Sequence, residues 1–325
     1  MSVIEKSWYK KPSLLTVLLL PLSVIFWLIS TLRKYLYKIN ILKAFKAHVP
    51  VIVVGNISVG GNGKTPFVIW LAQYLQQQGL KVAVISRGYG GKSASYPLLV
   101  TDDTATSEAG DEPVLIKRRL GCVVMVGPDR QASIEQLQNH DIDIIISDDG
   151  MQHYKMARDI ECCIVDSERQ FGNGLLMPAG PLRETKARLK SVDLVVENGG
   201  EKAYRYDLNA SQFRLVSSSE QVAETPTNGH AISAIGNPVR FELSLEKQGI
   251  NLLSTHHFRD HYNYQATDFL AFENEPVFMT EKDAVKCFSF AKSNWYYLPV
   301  DARPTAAVIE KLNSLLKQKG ILHGL

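Results

Sequence analysis

The stretch VPVIVVGNISVGGNGKTPFVIWLAQYLQQQ, residues 49–78, joins three unlike textures. Its β-branched start, 49–55, reads as a buried parallel strand. Its end reads as a helix, with Pro66 in the first turn, where a missing N–H costs nothing, and Gly79 as the stop. Between them lies a glycine loop closed by Gly63-Lys64-Thr65. Strand, loop and helix in that order are what a phosphate-binding loop requires: glycines let backbone N–H groups turn onto phosphate oxygens. Ser58, Val59, Gly60, Gly61, Asn62, Gly63, Lys64 and Thr65 form the expected nucleotide cradle. Lys64 supplies charge to the β/γ phosphates, and Thr65 offers its hydroxyl to Mg²⁺. One departure is visible, because Ser58 stands where G-x4-G-K-[ST] has its first glycine.

Outward from this stretch, strand-like and helix-like segments alternate. KVAVIS (81–86), CVVMV (122–126), DIDIIIS (141–147), ECCIVD (161–166) and VDLVVEN (192–198) are separated by helices around 112–120 and from 129. This rhythm predicts a parallel sheet covered on both faces, with the site at the carboxyl ends of its strands. Polar residues directly after strands are therefore the candidates. Asp148 ends an apolar strand and is the expected second Mg²⁺ contributor, with Asp149 near the metal or the γ-phosphate. Gln152 and His153 follow the same turn. Arg87 and Tyr89 sit in a glycine-rich loop, RGYGGK, able to approach phosphates or an acceptor headgroup. Asp111 opens a helix, where a carboxylate caps free N–H groups or serves the site. The glycine- and proline-rich excursion 171–184 includes Arg183, and loops of this length in α/β domains are usually functional.

The chain has 325 residues, 45% hydrophobic and 21% charged, which suits a globular protein of about two domains. Four cysteines without C-x-x-C spacing suit a reducing compartment. Residues 1–50 hold eight Lys/Arg against Glu5 alone, whereas the rest holds 28 against 32 acids. A basic body for nucleic acid is excluded on that balance. The basic end also carries the longest apolar run, LLTVLLLPLSVIFWLI (14–29), slightly short of the ~20 residues that span hydrocarbon. Pro21 predicts a kink or break in it. Residues 1–32 are expected to be a membrane anchor, and 33–48 an interfacial basic helix on anionic lipid.

In the second half, 201–230 is polar and irregular, and alternation resumes from Ala231. AISAIG, PVFMT and WYYLPV read as strands, with helices after Pro238, near 265–273 and at 305–319. His256, His257 and His261 lie close together but lack a second ligand cluster, so a metal site is not favoured. In TEKD (280–283), Lys282 either holds the base of a nucleotide or solvates a helix start.

Collected in order, VGNISVGGNGKTP, SRGYGGK, GDEP, DDGMQH, FGNG, PAGPLRE, FRDHYNY and MTEKDAVK make the chain resemble the lipid A 4′-kinases over nearly its whole length. That family has Ser or Thr at the Ser58 position. The resemblance implies a P-loop NTPase-like α/β/α core, a second, smaller α/β lobe and an N-terminal membrane helix. The contiguous domains expected are 49–200 for the core, 201–230 for a linker and 231–325 for the lobe. It implies ATP and Mg²⁺ as cofactors, and phosphorylation of the 4′-hydroxyl of a tetraacyl-glucosamine disaccharide 1-phosphate. The expected place is the cytoplasmic face of a Gram-negative inner membrane, with no nucleic acid and no protein partner. Asp111 and His261 correspond to the family's paired catalytic residues; lying in core and lobe, they are expected to meet on lobe closure. Lys64 and Asp149 complete the catalytic set, and Arg87, Tyr89, Gln152, His153 and Arg183 the substrate set. The alternative is a P-loop GTPase or ATPase switch recruited to the membrane.

Overall fold

The computed structural model describes residues 3–322. In chain order the helices and strands are α1 (Val3–Ser7), α2 (Leu14–Lys38), β1 (Val51–Gly55), α3 (Lys64–Gln77), β2 (Val82–Ser86), β3 (Leu98–Leu99), α4 (Thr106–Ala109), α5 (Asp111–Leu120), β4 (Val123–Val126), α6 (Arg130–Leu137), β5 (Ile144–Asp148) and β6 (Ile160–Asp166). Then follow β7 (Leu194–Asn198), β8 (Arg205–Ala210), β9 (Arg214–Leu215), β10 (Asn228–Ser233), α7 (Pro238–Lys247), β11 (Asn251–His257), β12 (Val277–Thr280), α8 (Glu281–Ala284), β13 (Trp295–Leu298), β14 (Val300–Pro304) and α9 (Ala306–Gln318). The mixed α/β class expected from the alternating pattern is what forms.

The chain divides into two compact units, each discontinuous in sequence. Unit 1 comprises residues 1–87, 127–207 and 302–325; unit 2 comprises 88–126 and 208–301. This differs from contiguous domains at 49–200 and 231–325. Residues 88–126 belong with unit 2 because α5 packs on α8. Helix α9 belongs with unit 1, where it packs on β7 and Asn313 accepts a 2.6 Å hydrogen bond from the Tyr74 hydroxyl.

In unit 1 the strand order is β14-β8-β7-β6-β1-β5-β2. Strand β1 lies between β5 and β6, parallel to both, and Val51 to Val54 are essentially inaccessible. Burial on both faces explains its unbroken apolar run. Helix α3 covers the sheet with Phe67, Val68, Leu71 and Leu75, all at zero exposure, each contributing roughly 1.5–3 kcal/mol by burial.

The amino end departs from expectation in two ways. Helix α2 is 25 residues long and runs through Pro21 without interruption. It also absorbs the start of the expected basic helix: residues 33–38 continue α2, and 39–48 are not helical. Asn40, at φ 59°, takes the left-handed conformation that asparagine tolerates. The Leu42 N–H then folds back to the Leu36 carbonyl at 3.1 Å, and Phe45 bridges Met156. Among the described residues α2 is the one helix long and apolar enough to cross a membrane. Its buried residues are Thr16 and Ser23. The Ser23 hydroxyl donates to the Leu176 carbonyl at 2.8 Å and accepts from the Ala179 N–H at 3.0 Å. Lys34 lies 3.6 Å from Glu184, and the Tyr37 ring lies against that of Tyr154. Thr16, Ser23, Lys34 and Tyr37 follow helical spacing, so one edge of α2 lies along the unit.

Unit 2 contains a five-stranded sheet, β11-β10-β12-β13-β9, parallel except for β9. Its two faces are packed separately, by Ile232, Phe269, Met279 and Trp295 on one side and Phe241, Leu245 and Phe278 on the other. Strand β11 was not expected; it is an edge strand of polar character, NLLSTHH. The helix expected near 265–273 is a 3₁₀ helix, Ala266–Phe272. In the amino-terminal part of the unit, β3 and β4 form an antiparallel pair, and Arg119 of α5 donates to both carboxylate oxygens of Glu281 at 3.1 Å.

Candidate active site

The loop between β1 and α3 is held closed by its own polar side chains. Asn62 donates to the Ser58 hydroxyl at 2.9 Å, and both residues are buried. A glycine at 58 lacks that acceptor, which is the physical reason for the departure from the usual pattern. From outside the loop, the Tyr206 hydroxyl donates to the Gly63 carbonyl at 2.7 Å and Asn198 to the Asn62 carbonyl at 3.3 Å. Gly63 has φ 81°, and a Cβ there would run into both Asn198 and Tyr206. The far side is tied to the 171–184 excursion: Val59 N–H donates to Pro181 at 2.8 Å and Arg183 N–H to Ile57 at 2.7 Å. Lys64 and Thr65 therefore begin α3 from a braced loop.

Parallel pairing sets Asp148 beside Val54, at the end of β5. Asp148 is 1% exposed, and the Ser86 hydroxyl donates to it at 3.5 Å. Its backbone carbonyl accepts from Arg130, at 2.9 Å. Asp149 follows in the left-handed region, at φ 49°. Its carboxylate receives Arg183 at 2.9–3.0 Å and lies 3.5 Å from Lys64. Burial pushes this carboxyl up, but Lys64 and Arg183 outweigh it and hold the pKa at about 2. The Thr65 hydroxyl and the Asp148 carboxylate are both oxygen donors, the chemistry that Mg²⁺ takes together with phosphates. Among the described residues no group of three or more His, Cys, Asp or Glu forms a metal cage.

The expected substrate residues of this turn have definite partners. Gln152 donates to the Asn56 carbonyl at 3.0 Å and to Glu184 at 2.9 Å, and accepts from Arg183 at 3.3 Å. Glu184, to which sequence reading assigned no role, also accepts from Tyr154 and lies 3.5 Å from Arg188. His153 is held neutral: burial, then Arg130 and Arg158, push its pKa down to about 4. Its Nε2 is buried with no hydrogen-bond partner among the described residues, as are both side-chain polar atoms of Asn56. Arg87 is exposed just beyond β2. Arg130 and Asn56 were also missed; a buried arginine opening a helix looks like any surface cation until its carbonyl partner is seen.

In unit 2, Asp111 is 5% exposed at the first turn of α5. One oxygen accepts from Glu112 N–H at 3.0 Å, the helix-start role. The same carboxylate is 3.0–3.1 Å from His261 Nδ1. The carboxylate thus meets both a helix-start N–H and an imidazole. The pair lies within a single unit and is already formed, so no lobe closure is needed to assemble it. Burial pushes the Asp111 pKa up, but His261 and Lys282 together hold it below the ordinary carboxylate value. The hydrogen bond to Asp111 raises His261, against burial and Lys282. The Tyr89 ring stands edge-on to His261, centroids 5.0 Å apart. Close backbone packing places that loop: a Cβ on Gly91 would strike Glu108 and Gly110. The other histidines are engaged elsewhere, His256 with Ser254 and His257 with Glu242.

The TEKD segment reads differently in three dimensions. Thr280 caps α8 by accepting from Asp283 N–H at 3.1 Å. Asp283 is fully buried, accepting from Thr280 and from Ala234 N–H and facing Lys286 at 2.9 Å. Lys282 lies 3.1 Å from Glu112 and 3.7 Å from Asp111. It neither simply solvates a helix start nor points into open space for a base.

The family model for tetraacyldisaccharide-1-P 4′-kinase matches residues 15–317. The tetraacyldisaccharide 4′-kinase of Pseudoalteromonas translucida is 67% identical, over 100% of both chains. That of Haemophilus influenzae is 51% identical, over 91% of this chain and 90% of its own. Among solved structures, the "apo" form of LpxK from Aquifex aeolicus in complex with ATP superposes with a TM-score of 0.79 at 30% identity, covering 94% of this chain and 99% of that one. On a match that spans nearly its whole length, the chain belongs to the tetraacyldisaccharide 4′-kinase family.

Proposed function

We propose that this chain transfers the γ-phosphoryl group of ATP to the 4′-hydroxyl of a tetraacyl-glucosamine disaccharide 1-phosphate, giving a lipid IVA-type product. The carrying observation is the buried Asp111 carboxylate held by His261, a base for a hydroxyl acceptor. A nucleotide switch has no use for that pair, and Lys282, its candidate for holding the base, is engaged by Glu112 and Asp111.

The roles follow from the groups present. Loop amides and Lys64 bear on the β/γ phosphates, and Lys64 with Arg183 fixes Asp149 as an anion beside them. Thr65 and Asp148 would hold Mg²⁺, which when bound neutralises charge on the transferring phosphoryl group. Asp111 takes the proton of the 4′-hydroxyl as that oxygen bonds to the γ-phosphorus and the bond to the β-phosphate oxygen breaks. His261 orients Asp111 and shares the proton; ADP leaves. Arg87, Tyr89 and His153 are substrate contacts in this reading, whereas Gln152 acts by positioning Arg183 and Glu184.

The acyl chains need a lipid surface, and α2 offers Leu14, Leu18 and Ile29, each more than 60% exposed. With Lys38, Lys43 and Lys46 it would seat the chain on anionic lipid, at the cytoplasmic face of the inner membrane, where ATP is available. Transfer from γ-labelled ATP to a lipid extract tests the reading. Label in a tetraacyl disaccharide at the 4′ position supports it; lipid-independent hydrolysis with a preference for GTP overturns it.

A further inference from the structure

Lys282 stands at a junction that neither its sequence context nor the proposed chemistry accounts for. It lies in the first turn of α8, yet its ammonium reaches 3.1 Å from Glu112, 3.7 Å from Asp111 and 3.9 Å from Asp260. Those carboxylates come from two other elements, α5 and the loop after β11. The same loop carries His261, whose Nε2 lies 3.9 Å from Asp260. We propose that Lys282 is a positioning residue for the Asp111–His261 pair, one ammonium that ties the helix bearing the carboxylate to the loop bearing the imidazole. The inference rests on the reading of that pair as the proton acceptor.

The charges around the pair make the consequence definite. Facing it are Glu112 from α5, Asp260 from the loop, and Lys282 and Lys286 from α8 and its end, with Asp283 neutralising Lys286. Tyr89 contributes a ring edge. Left with Asp111 alone, His261 would be drawn strongly toward its protonated form, and a pair already holding that proton accepts a second one poorly. The Lys282 charge opposes this, because like charges disfavour each other. At the same time it joins His261 in favouring the ionised form of Asp111 against burial. The ammonium thus favours the doubly useful state, carboxylate beside neutral imidazole.

Lys282→Met removes the charge and keeps most of the stem. In the full-length protein, the His261 imidazole followed by NMR should titrate about half a pH unit or more higher. An unchanged near-ultraviolet circular dichroism spectrum reports an intact fold. The acidic limb of the turnover number against pH should move upward with it, with KM for ATP unchanged, and Lys282→Arg should restore both. An unmoved His261 midpoint in a folded variant overturns the proposal. A moved midpoint with an unmoved turnover limb upholds Lys282's hold on His261 and sinks instead the assignment of the pair as the base. Should Lys282→Met fail to fold, Glu112→Gln tests the same junction. Released from its nearest carboxylate, Lys282 bears more on the pair, so the His261 midpoint should fall; no change there also overturns the proposal.

Discussion

A single guanidinium nitrogen of Arg183 donates to both carboxylate oxygens of Asp149, at 3.0 and 2.9 Å, in a residue whose backbone is left-handed. The ion pair thus fixes a conformation that a non-glycine residue rarely adopts. Arg183→Met should let burial raise the Asp149 pKa from about 2. The sign follows: a depressed native pKa stabilises above the unfolded value, near 3.9, and that contribution is lost as pH falls toward 2. The variant should lose acid stability at a higher pH than the parent, read by circular dichroism between pH 2 and 5. Coincident acid transitions would show that the pair does not govern Asp149.

The braced phosphate loop separates two glycines that look alike in sequence. A Cβ at Gly63 meets Asn198 and Tyr206, whereas one at Gly61 has nothing within 4 Å. Gly63→Ala should therefore weaken ATP binding by roughly tenfold or more, the loss of about one well-made hydrogen bond plus strain. Gly61→Ala should stay within about threefold. Calorimetric titration with ATP checks both, and equal losses would contradict the brace.

For the Asp111–His261 pair the expected result is non-additivity. Asp111→Asn should lower the turnover number by about 10²–10⁴-fold with little change in ATP affinity. His261→Ala should cost less, and the double variant far less than the product of the two losses. Multiplicative losses would return Asp111 to a helix-start residue.

The lysines near the amino end should not behave alike. On the proposed lipid surface Lys38, Lys43 and Lys46 would act by charge alone, so their reversal should release the protein from anionic vesicles in a salt-dependent way. Lys34→Glu would in addition set a carboxylate against Glu184, which lies 3.6 Å from Lys34. It should lower the melting temperature even without vesicles. Flotation and thermal unfolding separate the two effects; an unchanged melting temperature would make Lys34 one more surface lysine.

What could be read from the chain depended on whether a residue's partner was local. The phosphate loop, Asp148 after its strand and the alternating elements are local patterns, and each appears where expected. Lys282 shows the opposite case: helix-start chemistry at TEKD is visible, but its partners lie some 20 and 170 positions away. The two units differ from the contiguous domains expected for the same reason, since no composition shift marks 87 or 126. The end of α2 was misjudged because the basic residues 33–38 read as a new helix, although nothing before Asn40 breaks the old one.

Fastened at Ser23 to the 175–179 loop and at Lys34 to Glu184, α2 is moored over about 16 Å of its length. A moored helix cannot roll, and it cannot sink without pulling down the loop beside it. On the proposed lipid surface it would work as a keel rather than a tether: its draught would set how high the phosphate loop rides, because Pro181 and Arg183, a few residues on, are bonded directly to Val59 and Ile57.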